Sequence, residues 1–250
     1  MRKFGLIGYP LGHSFSRQYF TDKFSTEGIR NCRYDNYPLE KLELLPGLLS
    51  SDKSIEGLNV TIPYKSEILK YVNFVDHEAE SVGAVNVLKI KRDGDNTVIR
   101  GFNSDVTGVF DTLLPYISQF VKKALILGTG GSSKAVSYVL KNLGIEFTKV
   151  SRSIKQGCLT YGDITDEILE SAQLIINTTP LGMFPNTANR PDLRYYLLGE
   201  NHILFDLVYN PEYTLFLKSG LERGCKVITG LKMLHSQAER SWEIWNDDHY

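Results

Sequence analysis

The sequence has few residues of the kinds that define disulfide-rich, metal-binding or membrane proteins. Only three of its 250 residues are cysteine (Cys32, Cys158 and Cys225), and they are too widely separated to provide a metal-ligand spacing. Their odd number leaves at least one thiol unpaired, which indicates a reducing compartment. No apolar run approaches the roughly 20 residues that cross a bilayer. We therefore expect a cytoplasmic protein with no metal site and no membrane partner.

The sequence also lacks an excess of charge of either sign. Its 28 lysine and arginine residues nearly balance 29 aspartate and glutamate residues, which leaves a net charge of −1. This balance gives no electrostatic reason to expect nucleic acid as a partner. The apolar fraction of 42% and the charged fraction of 23% are those of an ordinary globular protein. The length suits one large domain or two modest ones.

Apolar runs of strand length alternate with segments of helical periodicity along the whole chain. We predict strands at residues 4–8, 32–39, 57–62, 84–90, 124–128, 147–151, 174–179, 202–208 and 226–230. We predict helices near residues 16–27, 63–71, 105–119, 132–143, 164–170, 212–223 and 231–246. Such alternation is typical of the α/β class with mostly parallel sheets.

A strand, a glycine turn and a helix occupy residues 121–144, and a complete α/β unit precedes them. We therefore predict a first domain over residues 1–104 and a Rossmann-like dinucleotide-binding domain over residues 105–230. The final helix lies too far along the chain to belong clearly to either domain. The segment GFNSDVTG, residues 101–108, is the predicted crossover between domains, where ligand clefts often form.

The glycine turn is the first candidate functional feature. Gly128, Gly130 and Gly131 follow the strand ALIL and precede the helix SSKAVSYVL. In that position, glycine permits a tight turn and lets backbone N–H groups approach a pyrophosphate at the helix N-terminus. The third fingerprint position is Ser133, a mild departure because serine is also small. The same glycines would also suit a strand–helix turn that needs a positive φ and binds nothing.

The end of the next strand indicates which cofactor binds. An NAD site places Asp or Glu there, about 20 residues after the loop, to bind the ribose 2′-OH. This chain has Ser151, Arg152 and Ser153 instead. Two hydroxyls and a guanidinium suit a 2′-phosphate through charge-assisted and bidentate hydrogen bonds, which favours NADP(H) over NAD. The alternative is that Arg152 is a solvated loop residue.

The segment NVTIPYK, residues 59–65, ends a predicted strand with a proline and a lysine. Pro63 suits the first position of a helix, which places Lys65 in a first turn where the helix dipole disfavours a cation. Such a placement hints at a functional lysine, although a surface lysine with its head in water fits as well. With Lys65, Asp105 would form a proton-transfer pair for chemistry at a carbonyl or alcohol. Alone, Asp105 could equally be the N-cap of the following helix.

Together with further motifs, these segments resemble the shikimate dehydrogenase family. The resemblance runs along nearly the whole chain and is carried by the ordered blocks GYPLGHSFS, NVTIPYK, GAVN, GFNSD, GTGGSSKA, SRS, NTTPLGM, DLVYNP and GLKMLHSQAERSWEIW. Any single block is a weak signal, whereas their order and spacing together are specific. The resemblance implies a substrate-binding domain at residues 1–104, joined by a C-terminal helix at 231–250, and an NADP-binding domain at 105–230.

The resemblance also implies an activity and a substrate site. The family catalyses 3-dehydroshikimate + NADPH + H⁺ ⇌ shikimate + NADP⁺, a step of chorismate and aromatic amino-acid biosynthesis. Ser14 and Ser16 match serines that bind the substrate carboxylate. Lys65 and Asp105 match the catalytic pair, in which the lysine polarises the 3-oxo group and the aspartate orients it. The positions that match residues around the ring hydroxyls or on the substrate side are Asn59, Thr61, Asn86, Tyr209 and Gln237.

The implied cofactor site extends beyond the glycine turn. Its members are Gly128, Thr129, Gly130, Gly131, Ser132, Ser151, Arg152, Ser153, Thr178, Met183, Gly230 and Met233. Met183 and Met233 match residues that line the nicotinamide pocket, although a core methionine is an equally good interpretation of each. Gln237 lies on the final helix, which would then fold back on the first domain and close the substrate site.

The sequence departs from the family pattern at three places. After HSFS the family continues with proline and, soon after, His-Asn, whereas this chain has the run RQYF at residues 17–20. Lys134 stands where the family commonly has arginine, so a phosphate contact there would be a point charge rather than a fork. Ser151 replaces the more usual asparagine before Arg152.

Two alternative functions stay open at this level. One is an oxidoreductase that acts on quinate, or a related dehydrogenase that includes NAD-linked forms. The other is a non-catalytic NADP-binding sensor. Retention of both Lys65 and Asp105 argues against a sensor, because dinucleotide binding alone requires neither. In each case we expect a small-molecule ligand and a monomer or homodimer.

Overall fold

The chain folds into two compact units. The computed structural model describes residues 1–11, 15–94 and 96–249, with residue 93 described by its backbone alone. One unit comprises Met1–Ser104 and Ala238–Tyr250, and the other comprises Asp105–Gln237. Each contains helices and a six-stranded sheet, which confirms the predicted fold class of two α/β domains. Within the described ranges, no helix is long and apolar enough to cross a membrane.

Helices and strands alternate along most of the chain. Among the described residues the strands are β1 (Arg2–Gly8), β2 (Cys32–Pro38), β3 (Ile55–Val60), β4 (Phe74–Val75), β5 (Val87–Asp93), β6 (Asn96–Phe102), β7 (Lys123–Leu127), β8 (Glu146–Ser151), β9 (Cys158–Thr160), β10 (Leu174–Asn177), β11 (Ile203–Asp206) and β12 (Lys226–Ile228). The α-helices are α1 (Phe15–Thr26), α2 (Leu45–Ser51), α3 (His77–Val82), α4 (Asp105–Leu113), α5 (Gly131–Asn142), α6 (Asp166–Ser171), α7 (Leu215–Leu221) and α8 (Leu231–Asn246).

The first unit is built on a mixed sheet with the strand order β2-β1-β3-β5-β6-β4. β1 pairs in parallel with β2 and β3, whereas β5 pairs antiparallel with both β3 and β6. The β5–β6 hairpin turns at Gly94, whose φ of 60° is accessible to glycine at little cost. Residues that follow β1 and β3 therefore emerge side by side at one edge of the sheet.

One face of this sheet packs against α1 and the C-terminal half of α8. An aromatic cluster fills the contact, with ring centroids 4.6 Å apart for Phe20 and Tyr34 and 4.7 Å apart for Phe4 and Trp245. Gly57 of β3 permits this close approach, because a Cβ there would lie 2.3 Å from Trp245 Nε1. The opposite face is covered by α2 and α3.

Only the C-terminal part of the final helix belongs to the first unit, whereas the sequence predicted the whole of 231–250 there. The boundary between the units falls inside α8, after Gln237. Beyond that point, Glu239 Oε2 lies 2.7 Å from Lys23 Nζ of α1, and Trp245 Nε1 donates a 3.0 Å hydrogen bond to the Leu88 carbonyl of β5. These contacts hold the C-terminal half of α8 on the sheet of the first unit.

The second unit has a fully parallel sheet with the order β9-β8-β7-β10-β11-β12. Counted from β7, this is 3-2-1-4-5-6, the order of dinucleotide-binding folds. The strands that follow β7 are added on one side of it up to β9, and those from β10 onward are added on its other side. Ligands of such sheets bind at the carboxyl ends of the strands beside that switch point, so the residues after β7 and β10 are the ones of interest.

Several short elements were not predicted, namely β4, β6, β9, α2 and α3. β4 and β9 are two and three residues long, and the helices six or seven, too short for a periodic pattern to register. β6 (NTVIRGF) is exposed or half-buried along its first five residues, so its sequence carries little apolar signal. Packing against neighbouring elements, rather than local pattern, stabilises these segments.

The predicted helix at residues 63–71 was wrong. Pro63 to Ser66 form turns, and a 3-10 helix occupies Glu67–Tyr71. The carbonyl of Lys65 accepts a 2.7 Å hydrogen bond from Val85 N–H, which is a tertiary contact in place of a helical one. Lys65 is therefore held by a neighbouring segment, and the helix-dipole argument for it no longer applies.

Candidate functional site

The glycine turn of the second unit is shaped by a neighbouring loop. Gly128 follows β7 with a φ of 119°, a backbone conformation that residues other than glycine rarely adopt. A Cβ on Gly128 would lie 2.5 Å from Thr178 Oγ1, in the loop after β10. Thr178 cannot easily move away, because its hydroxyl donates a 2.8 Å hydrogen bond to the Leu127 carbonyl. The turn and the loop after β10 are thus in direct contact at the switch point.

The start of α5 presents an open backbone surface. Gly130 is the N-cap and has no side chain to cap the helix, and a Cβ there would have no protein atom within 4 Å. The hydroxyl of Ser133, in the first turn of the helix, donates a 2.8 Å hydrogen bond to the Gly128 carbonyl and so stabilises the glycine turn. Backbone N–H groups at a helix start with open space before them suit a phosphate group. The residues present therefore fit a dinucleotide pyrophosphate.

The loop after β10 is fixed by a buried asparagine. Asn177 Oδ1 accepts hydrogen bonds from the Thr179 N–H at 3.1 Å and from the Thr179 hydroxyl at 2.6 Å. Its Nδ2 donates to Asp206 Oδ1 at 2.9 Å. Asn177 is fully buried, so these contacts set the conformation of the loop that carries Thr178.

Asp206 is a buried carboxyl group that the sequence argument did not single out. It also accepts hydrogen bonds from the Val208 N–H at 3.0 Å and from the Thr214 hydroxyl at 2.5 Å. Burial raises the pKa of Asp206 to about 7, and the hydrogen bonds from Thr214, Val208 and Asn177 offset only part of that effect. The group therefore changes protonation near neutral pH while supporting the loop after β10.

We predict that Asp206 makes the stability of the protein fall as pH rises through 7. Between about pH 4 and pH 7 the folded state retains a proton that the unfolded chain releases, so this stabilisation is full at low pH and is lost above 7. The Asp206→Asn variant, which stays neutral like the protonated form, should lack this loss of stability, which is roughly 4 kcal/mol over the whole interval and roughly 2–3 kcal/mol of it above pH 5. Urea unfolding between pH 5 and pH 8.5 measures the part above pH 5. The exposed Asp192→Asn is the control, and identical slopes for wild type and Asp206→Asn would contradict the prediction.

The end of β8 places a cluster of polar residues next to the glycine turn. Ser151 is buried and accepts a 3.3 Å hydrogen bond from the Ser153 N–H, whereas the Arg152 side chain is exposed. Lys155, which the sequence argument missed, donates from Nζ to Thr129 Oγ1 at 2.9 Å. The sequence signal that could have identified Lys155 is its position, a basic residue four positions after the end of β8. The Lys155 ammonium thus lies beside the turn that suits a pyrophosphate.

The remaining predicted residues of the second unit lie in varied surroundings. Met183 is 42% exposed, so it is not a core methionine, whereas Met233 is buried and its backbone packs closely on Gly108 of α4. A Cβ on Gly230 would lie 2.6 Å from the Leu207 carbonyl oxygen, so this position requires glycine. Tyr209 is half-buried, and burial raises the pKa of its phenol. The last two members of the predicted set, Ser132 and Gln237, are also half-buried.

In the first unit, the loop after β1 packs against the end of β3. A Cβ on Gly8 would lie 2.4 Å from Thr61 Cγ2, and the Tyr9 N–H donates to the Ile62 carbonyl at 3.2 Å. Half-buried Thr61 is thereby held beside the loop. Ser14 lies outside the described residues. Ser16 lies within the first turn of α1 and is half-buried.

Lys65 and Asp105 belong to different units. Lys65 is half-buried in the turn after β3 of the first unit. Asp105 is the first residue of α4 in the second unit and is 1% exposed. Their pairing stays a prediction.

A chain of hydrogen-bonded polar side chains in the first unit includes two of the predicted substrate residues, Asn59 and Asn86. Asn59 of β3 is hydrogen-bonded to Tyr34 of β2 at 2.8 Å and to Ser241 of α8 at 2.9 Å. Ser241 Oγ lies 3.2 Å from Ser104 Oγ, and the Ser104 N–H donates to Asn86 Oδ1 at 2.7 Å. Asn59 and Asn86 are thus brought together, and both are oriented by partners that sequence patterns did not reveal.

Each unit therefore offers one kind of recognition. The second unit has an open, glycine-lined helix start with the Lys155 ammonium beside it, which suits a dinucleotide phosphate. The first unit has half-buried amide, hydroxyl and ammonium groups at the ends of β1 and β3, which suit a small polar molecule with several hydroxyl groups. Two such sites on one chain are the ingredients of a cofactor-dependent reaction on a polyhydroxylated substrate.

Comparison with known proteins gives a consistent result. The family model of the shikimate dehydrogenase substrate binding domain matches residues 6–88. The NADP(+) shikimate dehydrogenase of Methanococcus aeolicus is 34% identical over 259 residues, which cover 96% of this chain and 90% of that relative. A solved shikimate 5-dehydrogenase from Thermus thermophilus, in complex with NADP(H) and shikimate, aligns with a TM-score of 0.85 and 29% identity over 98% of this chain and 94% of that one. Shikimate dehydrogenase 1 from Peptoclostridium difficile aligns with a TM-score of 0.82 and 36% identity over 100% and 94%.

Proposed function

Because the chain belongs to the shikimate dehydrogenase family, we propose that it catalyses the reversible NADPH-dependent reduction of 3-dehydroshikimate to shikimate. This places it in the biosynthesis of chorismate and the aromatic amino acids. The observation that carries the redox assignment is the open glycine turn at the switch point of the second unit, where α5 starts without a capping side chain. That feature fits a dinucleotide, and a dinucleotide supplies the hydride.

NADP(H) would be held by the second unit. The turn residues Gly128, Thr129, Gly130, Gly131 and Ser132 would contact the pyrophosphate. Ser151, Arg152 and Ser153 would hold the 2′-phosphate, and Lys155 is added because its ammonium reaches Thr129. The residues proposed for the nicotinamide end are Thr178, Met183, Gly230 and Met233. Met183 and Arg152 are exposed, so their side chains are accessible to a ligand, whereas Ser151, Gly230 and Met233 are buried.

The first unit would hold most of the substrate. Ser14 and Ser16 are proposed to donate hydrogen bonds to the substrate carboxylate. The hydroxyl groups and neighbouring atoms of the ring are assigned to Asn59, Thr61, Asn86, Gln237 and Tyr209. A site built from several placed donors and acceptors rejects analogues that lack a hydroxyl, because its polar groups would be left unpaired.

Lys65 and Asp105 are the proposed catalytic residues. When bound, NADPH would supply a hydride to C3 of the substrate, and the electron pair of the C=O bond would move to oxygen. The Lys65 ammonium polarises that oxygen and delivers a proton to it, while Asp105 orients the lysine. Two hydrogen bonds support this proposal. The Lys65 carbonyl accepts one from the Val85 N–H, and Ser104, which precedes Asp105, donates one from its N–H to Asn86 Oδ1. Val85 and Asn86 are consecutive residues.

The proposed setting is the cytoplasm, with the protein as a monomer or homodimer. Cys32, Cys158 and Cys225 are all free thiols, which supports a reducing compartment. Size-exclusion chromatography with light scattering determines the oligomeric state.

A steady-state assay tests the proposed function directly. Shikimate and quinate are each offered with NADP⁺ and with NAD⁺, and reduction of the nicotinamide is followed by absorbance. We expect the highest kcat/KM for shikimate with NADP⁺. Absence of turnover with that pair would refute the proposal, and preferential turnover of quinate would reassign the substrate without changing the cofactor site.

We predict that Arg152→Ala weakens binding of NADP⁺ and leaves that of NAD⁺ nearly unchanged. A charge-assisted hydrogen bond to the 2′-phosphate should contribute enough that KM for NADP⁺ rises about tenfold. Arg223→Ala is a matched control, because Arg223 is also exposed but precedes β12, at the opposite edge of the same sheet. Equal changes in KM for the two cofactors would remove the 2′-phosphate role.

A further inference from the structure

The amide of Asn59 has nearly all of its hydrogen-bonding capacity occupied. Its Nδ2 donates to Ser241 Oγ at 2.9 Å and to the Asn86 carbonyl at 3.4 Å, which accounts for both amide hydrogens. Its Oδ1 accepts one hydrogen bond, from the Tyr34 hydroxyl at 2.8 Å. Among the residues that the structure describes, no second donor reaches this oxygen. Among the described contacts, one oxygen lone pair is thus left on a residue that is half-buried.

The orientation of this amide is determined by its partners. A backbone carbonyl can only accept, so the Asn86 oxygen requires the nitrogen of Asn59 on its side. A flipped amide would bring two oxygens together there and would leave the Tyr34 hydroxyl without its acceptor. The Asn86 carbonyl is itself fixed, since it accepts a 2.8 Å hydrogen bond from the Val60 N–H. Asn59 can therefore accept a further hydrogen bond but cannot donate one.

Tyr34 is rigidly held and able to donate. Its ring stacks on Phe20 with centroids 4.6 Å apart and an angle of 13° between planes, and the side chain is 3% exposed. Burial raises the pKa of the phenol, and the nearby Ser16 side chain offsets only part of that effect. The phenol therefore keeps its proton at every working pH.

We propose that Tyr34 and Ser241 are positioning residues that hold Asn59 as a hydrogen-bond acceptor, so that Asn59 selects a substrate group that donates. The chemical class is a hydroxyl group that keeps its hydrogen throughout the reaction. A carbonyl oxygen, an ether or a fluorine in the same place would face the Asn59 oxygen without a hydrogen between them, which is repulsive. This inference rests on the proposed function, since it takes Asn59 to face the substrate.

Variants of the two positioning residues test the proposal. Tyr34→Phe keeps the ring and removes the hydroxyl, and Ser241→Ala removes the acceptor that engages one amide hydrogen. We expect KM for shikimate to rise about three- to tenfold in each variant, with kcat and KM for NADP⁺ within about twofold. Tyr195→Phe is the matched control, because Tyr195 is another buried tyrosine whose hydroxyl donates at 2.9 Å, to the Pro191 carbonyl of the second unit.

Two further readouts separate positioning from a loss of stability. In an Asn59→Ala background the Tyr34→Phe change should have no further effect on KM, because its target is gone. The second readout uses two shikimate analogues, in each of which fluorine replaces one of the two ring hydroxyls that do not react. Wild type should lose about tenfold or more in kcat/KM with one of these analogues, and Ser241→Ala, which frees an amide hydrogen, should lose less.

The outcomes also separate this inference from the proposed function. If wild type does not turn over shikimate, the function itself is refuted. If it does, but the Tyr34→Phe and Asn59→Ala effects add independently, Tyr34 does not act through Asn59. Equal discrimination against fluorine in wild type and Ser241→Ala, or an unchanged KM in Asn59→Ala, would likewise overturn the inference.

Discussion

Replacing Lys65 with alanine is expected to lower kcat by about a thousandfold while KM for shikimate changes only a few-fold. The reason is that proton transfer and polarisation of the 3-oxo group act mainly in the transition state, so their loss appears in kcat. Lys65 is held in place through its backbone, by the hydrogen bond from Val85 N–H to its carbonyl. Truncation of the side chain should therefore leave the surrounding turn intact. Steady-state kinetics with shikimate and NADP⁺ measures both parameters.

Lys70→Ala is the control for this experiment. Lys70 is an exposed lysine in the 3-10 helix that follows the same turn, so its loss removes an equal charge close by in sequence. We expect kcat and KM of this variant to match wild type. A Lys65→Ala variant with an intact kcat and a steeply raised KM would show that Lys65 only binds the substrate, and the proposed mechanism would then be wrong.

Replacing Gly128 with alanine is expected to destabilise the second unit by about 2–4 kcal/mol. Part of the loss comes from the φ of 119°, and part from a Cβ placed 2.5 Å from Thr178 Oγ1. Thr178 can withdraw only by giving up its hydrogen bond to the Leu127 carbonyl. Urea unfolding measures the loss, and KM for NADP⁺ should rise because the turn is displaced.

Gly130→Ala provides the matched comparison two residues away. Gly130 has an ordinary φ of −81°, and a Cβ there would meet no protein atom within 4 Å. The variant should unfold at the same urea concentration as wild type but bind NADP⁺ more weakly, because the added methyl occupies space proposed for the pyrophosphate. If Gly128→Ala proved as stable as Gly130→Ala, the contact between the two loops would not constrain the turn.

Local patterns predicted the features of this chain that depend on neighbours in sequence. The apolar run 124–128 followed by glycines at 128, 130 and 131 predicted a strand, a turn and a helix, and β7 and α5 have these positions within a residue. Helix α8 was also predicted over its full observed range, 231–246. In each case the periodicity extends over several turns or a whole strand, so the pattern outweighs competing influences.

Patterns failed where contacts distant in sequence decided the backbone. Residues 63–66 turn instead of forming a helix because the Lys65 carbonyl bonds to Val85, twenty residues later. The strand β6 exists because β5 offers it a complete antiparallel ladder from Val87 to Asp93. Neither partner can be inferred from the segment itself.

The candidate site divides in the same way. Glycines, the Arg152 segment and the Lys65 and Asp105 motifs were visible in sequence because their residue types suggest chemistry. Tyr34, Ser241, Lys155 and Asp206 were not, since tyrosine, serine, lysine and aspartate in such positions are common and acquire meaning only from what they contact.

The sequence by itself determined the α/β class, the dinucleotide turn and the family to which the chain belongs, because short-range periodicity and ordered motifs encode them. The tertiary structure alone decided that Gly128 must be glycine, that burial raises the pKa of Asp206 to about 7 and that Asn59 can accept but not donate. Each of these depends on atoms from other strands or helices, 29 to 182 residues away for the contacts of Asp206 with Asn177 and of Asn59 with Ser241. Burial and hydrogen-bond geometry arise only when such segments meet, and they set the chemistry of each group.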